Sequence, residues 1–188
     1  MRTEIHIKEI YEYSELSDKA KERAREAYVE TIHHYDWWEH TIWELENTVL
    51  PMLGFECTVG FQLSYCQSDH AKITGEYSYK SGGLKRLKQE WPNMPLIQYF
   101  EDLQELQRKN FYGVFAQLNT SHWIRYDIEN EHRDEVTDED GFKDVFRWLE
   151  QAIYEMLRDE YEDICSDKAV EDAILANGYE YLEDGSPY

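Results

Sequence analysis

Apolar and polar residues alternate over several short stretches of the chain. Such alternation is typical of strands that bury one face, because successive side chains point to opposite sides of a sheet. In the clearest stretch, Phe55, Val59 and Phe61 face one way and Glu56 faces the other. The pattern predicts strands over 3–10, 55–64, 71–79, 111–118, 122–128 and 179–182.

Other stretches repeat apolar residues every three to four positions, which predicts helices with one buried face. Ser17 and Ser166 each precede Asp-Lys-Ala and are expected to cap a helix N-terminus. Asp36 and Glu39 have the spacing of a capping box, and Gly54 is expected to end that helix. The predicted helices cover 17–33, 36–54, 84–90, 96–109, 140–164 and 166–177.

The order of these elements predicts an α+β fold. The strands cluster in two hairpins, over 55–79 and 111–128, with helices on either side of them along the chain. We therefore expect an antiparallel sheet of four or more strands, covered on one face by helices from both ends of the chain. A length of 188 residues without a flexible linker favours a single acidic domain over 1–188.

Charge narrows the range of functions. The chain has 19 basic and 40 acidic residues, a formal net charge of −21. The segment Asp127–Asp163 alone holds 15 acidic residues and 4 basic ones. Such a surface repels nucleic acid and anionic membranes and attracts basic proteins. We therefore expect no direct binding to nucleic acid or to a membrane.

The cellular location is predicted from what the sequence lacks. The first residues contain no continuous apolar run like that of a signal peptide. No stretch approaches the roughly 18 apolar residues of a membrane helix. Cys57, Cys66 and Cys165 show no CxxC spacing and are expected to be reduced thiols. A cytoplasmic protein is therefore expected.

One histidine-rich stretch could bind a metal ion. It contains His33, His34, Asp36, Glu39 and His40, of which Asp36 and His40 would lie one helical turn apart. A helix boundary at Asp36 would separate these two side chains, and the stretch has no HExxH order. A structural role is favoured, with a metal site as the alternative, and no metal or cofactor is predicted.

The turn of the first hairpin brings together a thiol, a carboxylate and an imidazole. Cys66, Asp69 and His70 lie within five positions, and His122 starts the second strand of the other hairpin. Neighbours in a turn rarely have the geometry that a nucleophile and its base require. An ordinary turn is favoured, with a partner-binding tip or a catalytic site as alternatives, and no catalytic residue is assigned.

The predicted helix over 140–164 concentrates carboxylates away from its apolar stripe. Like charges one helical turn apart repel by a few tenths of a kcal/mol per pair. Carboxylates one turn apart are separated by about 6 Å along the helix axis, which is comparable with the spacing of neighbouring phosphates on one nucleic-acid strand. A merely solvated face remains one interpretation. The candidate partner-binding residues are Asp138, Glu139, Asp140, Asp144, Glu155, Asp159, Glu162 and Asp163.

Several short motifs resemble a family of small acidic proteins encoded by bacteriophages and prophages. They are caps and turns rather than catalytic signatures, and the hairpin turn departs from the family at Ser68 and His70, where relatives tend to carry glycine. The motifs lie at 13–21, at Trp37-Trp38, at 67–71 and 75–79, at 166–169 and at 177–185. The resemblance implies a phage accessory protein in the bacterial cytoplasm, and some members carry antitoxin-like labels.

Together, the acidity and the resemblance predict a non-catalytic inhibitor. Its acidic surface would mimic nucleic acid and block the basic nucleic-acid-binding surface of a host defence nuclease or CRISPR effector. One alternative is an antitoxin-like protein-binding module that uses the polar sheet face through Thr58, Gln62, Thr74, Trp123 and Arg125. Another is a small metal- or thiol-dependent hydrolase. A homodimer is left open.

Overall fold

The computed structural model describes residues 8–64, 69–119 and 125–188, with the backbone alone at Arg125. The chain divides into two compact units, one of Met1–Trp37 with Asp159–Tyr188 and one of Trp38–Arg158. Each unit is described by itself. The expectation of a single domain over 1–188 stays a prediction.

The larger unit contains a four-stranded antiparallel sheet in the order β2-β3-β4-β5. Its strands are β2 Phe55–Gln62, β3 His70–Ser78, β4 Val114–Asn119 and β5 Arg125–Asn130. Phe55 lies opposite Tyr77, and Tyr77 lies opposite Ala116, so these buried side chains form one row across the sheet. The predicted α+β fold, both hairpins and the buried faces of β2 and β3 are confirmed.

Helices that precede and follow the sheet in the sequence cover its buried face. Phe146 of the helix α6 (Glu139–Ile164) packs edge-to-face on Phe55 and Tyr77, with ring centroids 6.2 and 5.6 Å apart. On the same face, Trp38 packs on Phe61 with ring centroids 5.3 Å apart. The helical segments are α2 Glu39–Glu44, a π-helical turn Leu45–Val49, α3 Leu50–Met52, α4 Gly83–Glu90, α5 Ile97–Lys109 and α6 Glu139–Ile164.

Three side chains satisfy backbone groups where the strand ladders end. Gln107 donates to the carbonyl of Val114 at 2.8 Å and accepts from its N–H at 3.2 Å, as a neighbouring strand would. Glu46 accepts from the N–H of Val59 on the outer edge of β2 at 2.6 Å. Glu150 accepts from the N–H of Ile73 in β3 at 3.0 Å. Buried backbone groups therefore stay paired beyond the strands themselves.

The smaller unit joins the two ends of the chain. Its two-stranded sheet pairs β1 Tyr11–Glu12 with β6 Glu180–Tyr181. The helices α1 Asp18–Ile32 and α7 Asp167–Asn177 start at the predicted caps, where Ser17 and Ser166 each accept a backbone N–H at 3.3 Å. Among the residues described, no helix has both the length and the apolar character that crossing a membrane requires.

The predicted capping box at Asp36 is wrong. The helix begins later, at Glu39, and Trp38 occupies the N-cap position without a side-chain cap. Before Pro51 the helix widens into the π-turn, where the N–H of Leu50 donates to the carbonyl of Leu45. Proline lacks an N–H and its ring crowds the carbonyl four residues earlier, which accounts for the change in helical register there.

One strand prediction began too early, and another is tested only over its last three residues. Within the predicted strand 3–10, residues 3–7 lie outside the description and residues 8–10 are not in a strand. The predicted strand 111–118 begins only at Val114. Phe111 and Tyr112 have φ of 55° and 59°, because the N–H of Tyr112 turns back to the carbonyl of Gln107 at 2.7 Å. A non-glycine residue with positive φ is not extended.

Candidate functional site

An acidic cleft runs along the edge of the sheet formed by β5. Its volume is about 690 Å³. The last residues of β5 form one side, the loop 131–136 forms the other, and the start of α6 closes one end. The lining residues are Ile128, Glu129, Asn130, Arg133, Asp134, Glu135, Val136 and Glu139.

Local contacts hold the loop in place. The N–H of Arg133 donates to the carbonyl of Asn130 at 3.4 Å, and the side chain of Asn130 accepts from the N–H of His132 at 2.9 Å. The Arg133 guanidinium lies over the ring of Phe111, 4.4 Å from its centroid. Stacking of this kind is worth about 0.5–1 kcal/mol at an exposed site. The cation of the cleft is therefore held against an aromatic ring.

The carboxylates of the cleft are unevenly neutralised. Glu139 is bound by Lys143 at 2.5 Å. Within the described part of the chain, Glu129, Asp134 and Glu135 form no ion pair, and all three are exposed. The cleft therefore carries an excess of negative charge beside an exposed strand edge.

The eight residues predicted to bind a partner are surface residues, but they divide between the two units. Asp138, Glu139, Asp140, Asp144 and Glu155 lie in the larger unit, and Asp159, Glu162 and Asp163 lie in the smaller one. All are exposed except Asp144, which is half-buried.

Nearby cations neutralise part of the set in the larger unit. Lys109 lies 3.8 Å from Asp138, Lys143 lies 3.6 Å from Asp140, and Arg147 lies 2.9 Å from Asp144. The amide of Gln151 donates to Glu155 at 3.0 Å. Lys143 and Arg147 belong to α6 itself, and Lys109 at the end of α5 adds one positive charge from outside that helix.

The open face of the sheet is polar and also acidic. Glu56 of β2 lies directly opposite Glu76 of β3, and Gln117 of β4 donates to Glu76 at 2.7 Å. Like charges in facing positions destabilise a sheet. Thr58 lies opposite Thr74 in the next row of this face. Of the other residues predicted here, Gln62 is exposed at the end of β2, whereas Trp123 and the side chain of Arg125 lie outside the description.

The two candidate chemical clusters receive no support. Among the residues that the structure describes, no three His, Cys, Asp or Glu side chains are placed to hold a metal ion. His33 instead lies near Tyr161, whose hydroxyl is 3.2 Å from its Nε2. Cys66 and His122 lie outside the described residues, and His70 is half-buried at the start of β3. The hydrolase hypothesis stays a prediction.

The titratable side chains with the clearest shifts are buried structural groups. Burial raises the pKa of Cys57 to about 12, with a further contribution from the Glu46 carboxylate. Burial also raises the pKa of Glu150, although the N–H of Ile73 and the hydroxyl of Tyr126 oppose the shift. A thiol with such a pKa is almost entirely protonated near neutral pH and is a poor nucleophile.

Glu129, Asp134 and Glu135 were not among the predicted binding residues. They belong to the acidic segment Asp127–Asp163, which was the available signal. The sequence did not reveal that the loop 131–136 faces the outer edge of β5, so that these acids gather around a cleft.

Sequence comparison gives a family but not an activity. The profile of a family described as a domain of unknown function, DUF8835, matches residues 37–167, which is more than half of the chain. The chain belongs to this family. No curated protein and no solved structure matches. The description of DUF8835 names no activity, so the resemblance to phage proteins stays a prediction.

Proposed function

We propose that this DUF8835 member is a non-catalytic inhibitor whose acidic surface occupies the basic, nucleic-acid-binding surface of another protein. A host defence nuclease or CRISPR effector would be such a partner. The observation that carries the proposal is the cleft beside β5, where Glu129, Asp134 and Glu135 have no cationic partner among the described residues. An excess of one sign of charge in a cleft, here four carboxylates against Arg133, focuses the electrostatic field and speeds association with oppositely charged partners.

The carboxylates at the start of α6 extend this surface. Asp138, Asp140 and Asp144 are partly neutralised by Lys109, Lys143 and Arg147. Exposed ion pairs of this kind contribute only about 0.2–1 kcal/mol each. Lysine and arginine side chains of a partner could therefore replace these intramolecular cations at little cost.

The test is a pull-down from a bacterial lysate at low and high salt, with duplex DNA as competitor. We expect the retained protein to bind nucleic acid, to dissociate as salt rises, and to be displaced by DNA. Retention that is insensitive to salt, or that DNA leaves unchanged, contradicts nucleic-acid mimicry.

Two charge variants with equal net charge separate a specific surface from general acidity. The cleft variant combines Glu129→Gln, Asp134→Asn and Glu135→Gln. The matched control combines Glu171→Gln, Asp172→Asn and Glu183→Gln, which are exposed residues of the smaller unit. We expect the cleft variant to lose most of the retention and the control to keep it. Equal losses would mean that only the net charge matters.

A second candidate is an antitoxin-like or other phage accessory module that binds one protein through the open sheet face. The facing pair Glu56 and Glu76 supports it, because the sheet bears a repulsion that a basic partner would relieve. If the partner binds the open sheet face, the double variant Thr58→Arg and Thr74→Arg should abolish retention. The cleft variant should then be retained like the native protein. The opposite result favours the cleft.

A further inference from the structure

The backbone of β5 presents hydrogen-bonding groups to the cleft. The N–H of Glu131 donates to the carbonyl of Gly113 at 2.9 Å, which makes 131 and 113 a hydrogen-bonded pair. Such pairs alternate along an antiparallel ladder, so Glu129 and Asp127 also bond to β4. The N–H and C=O of Tyr126 and Ile128 therefore point outward, and β5 ends the order of the described strands.

The cleft combines apolar and acidic side chains beside the outer edge of β5. Ile128 and Val136 are half-buried and give it an apolar part, whereas Glu129, Asp134 and Glu135 supply negative charge. An added strand would place alternate side chains on opposite faces. Basic residues at every second position could then meet the carboxylates while smaller apolar residues pack near Ile128.

We propose that the β5 edge and its cleft bind an extended basic segment of a partner protein as an additional strand of the sheet. This inference rests on the proposed function and specifies how the partner would bind. Main-chain hydrogen bonds to the edge would provide affinity, and the carboxylates would select lysine or arginine at alternate positions. A partner that offered only a flat basic surface would not use the outward N–H of Ile128.

Two short peptides of equal charge test the proposal on the full chain. Lysine alternates with valine in one peptide and with proline in the other, which has fewer backbone donors and disfavours strand pairing. Fluorescence anisotropy should show tighter binding of the lysine–valine peptide. The cleft variant Glu129→Gln, Asp134→Asn and Glu135→Gln should weaken that binding about tenfold at low salt, unlike the matched control variant.

Amide hydrogen exchange followed by NMR reports on the backbone directly. At a peptide concentration about nine times Kd, exchange of the Ile128 amide should slow about tenfold. The Asp127 amide, which points to β4, serves as the internal control and should not change.

Each outcome bears on strand addition. Slowed exchange at Ile128 supports strand addition. If exchange slows but DNA fails to displace the protein retained from a lysate, the proposed function is contradicted and strand addition is not. Equal affinity for both peptides without slowed exchange overturns strand addition and leaves the acidic surface as a simple electrostatic site. Failure of the lysine–valine peptide to bind also overturns it.

Discussion

Glu150 of α6 accepts a hydrogen bond of 3.0 Å from the backbone N–H of Ile73 in β3, 77 residues away in the sequence. Its second oxygen accepts from the hydroxyl of Tyr126 in β5 at 3.1 Å. Among the described residues, the β3–β4 ladder stops at Gly75 and Leu118, so the Ile73 N–H points beyond its end. The carboxylate takes the place of a strand carbonyl and joins the helix to two strands.

This arrangement predicts a pH-dependent contribution to stability. Burial raises the pKa of Glu150 above its ordinary value of 4.5, and the Ile73 and Tyr126 hydrogen bonds, Lys72 and His70 only partly oppose the shift. A raised pKa in the folded state gives stability that is complete below 4.5 and is lost as the pH rises through the folded pKa. Glu150→Gln lacks this titration.

We therefore expect the free energy of unfolding of the native protein, minus that of Glu150→Gln, to fall as the pH rises above 4.5. Urea unfolding at several pH values measures it. Glu155→Gln, an exposed substitution on the same helix, controls for removal of one charge. If the difference in unfolding free energy between the native protein and Glu150→Gln stays constant with pH, the prediction is contradicted.

Gln107 is expected to be a strong determinant of stability. It is fully buried and bonds to both backbone groups of Val114 and, at 3.2 Å, to the hydroxyl of Tyr77. Gln107→Leu leaves these groups buried without partners, at a cost of about 1–3 kcal/mol each. Denaturant unfolding should show a loss of roughly 3 kcal/mol. Gln104→Leu, exposed on the same helix, should change stability by less than about 0.5 kcal/mol.

Two strand glycines should respond in opposite ways to alanine. Gly75 has φ of 144°, and a Cβ there would lie 2.2 Å from the carbonyl oxygen of Glu56. Gly75→Ala should therefore destabilise by about 3 kcal/mol, measured by thermal or urea unfolding. A Cβ at Gly60 would meet nothing within 4 Å. Gly60→Ala should be neutral or stabilise by up to about 1 kcal/mol, because alanine reduces the entropy of the unfolded chain.

Cys57 should be nearly inert in the folded protein. Raising its pKa from 9.0 to about 12 lowers the thiolate fraction about a thousandfold near pH 8. Alkylation by iodoacetamide, followed by mass spectrometry of the Cys57 peptide, should be slow in buffer and should reach the ordinary rate in denaturant. Equal rates in the two solvents would show that the thiol is not protected.

Local periodicity was sufficient to predict most elements of the larger unit. Within the predicted helix 96–109, Leu96, Phe100, Leu103 and Leu106 recur every three to four positions, and all four are buried. The alternation in β2 and β3 likewise gave the correct buried faces. These predictions succeed because the pattern of one segment reflects the single surface that this segment buries.

Local chemistry was less reliable at element boundaries. Ser17 and Ser166 cap helices as predicted, whereas Asp36 does not, although it has an equally suitable sequence. Trp38 instead packs on Phe61 of β2, and the helix starts after it. A capping signal gives about 1 kcal/mol, which the burial of a tryptophan outweighs.

The sequence by itself determined that this protein is acidic, where that acidity is concentrated, and which faces of its strands and helices are apolar. Only the tertiary structure decided that Lys109 lies beside Asp138, and which carboxylates gather at the cleft beside β5. It also placed Glu150 beneath Ile73. Periodicity describes one segment, whereas an ion pair or a ladder end depends on distances between segments far apart in the chain.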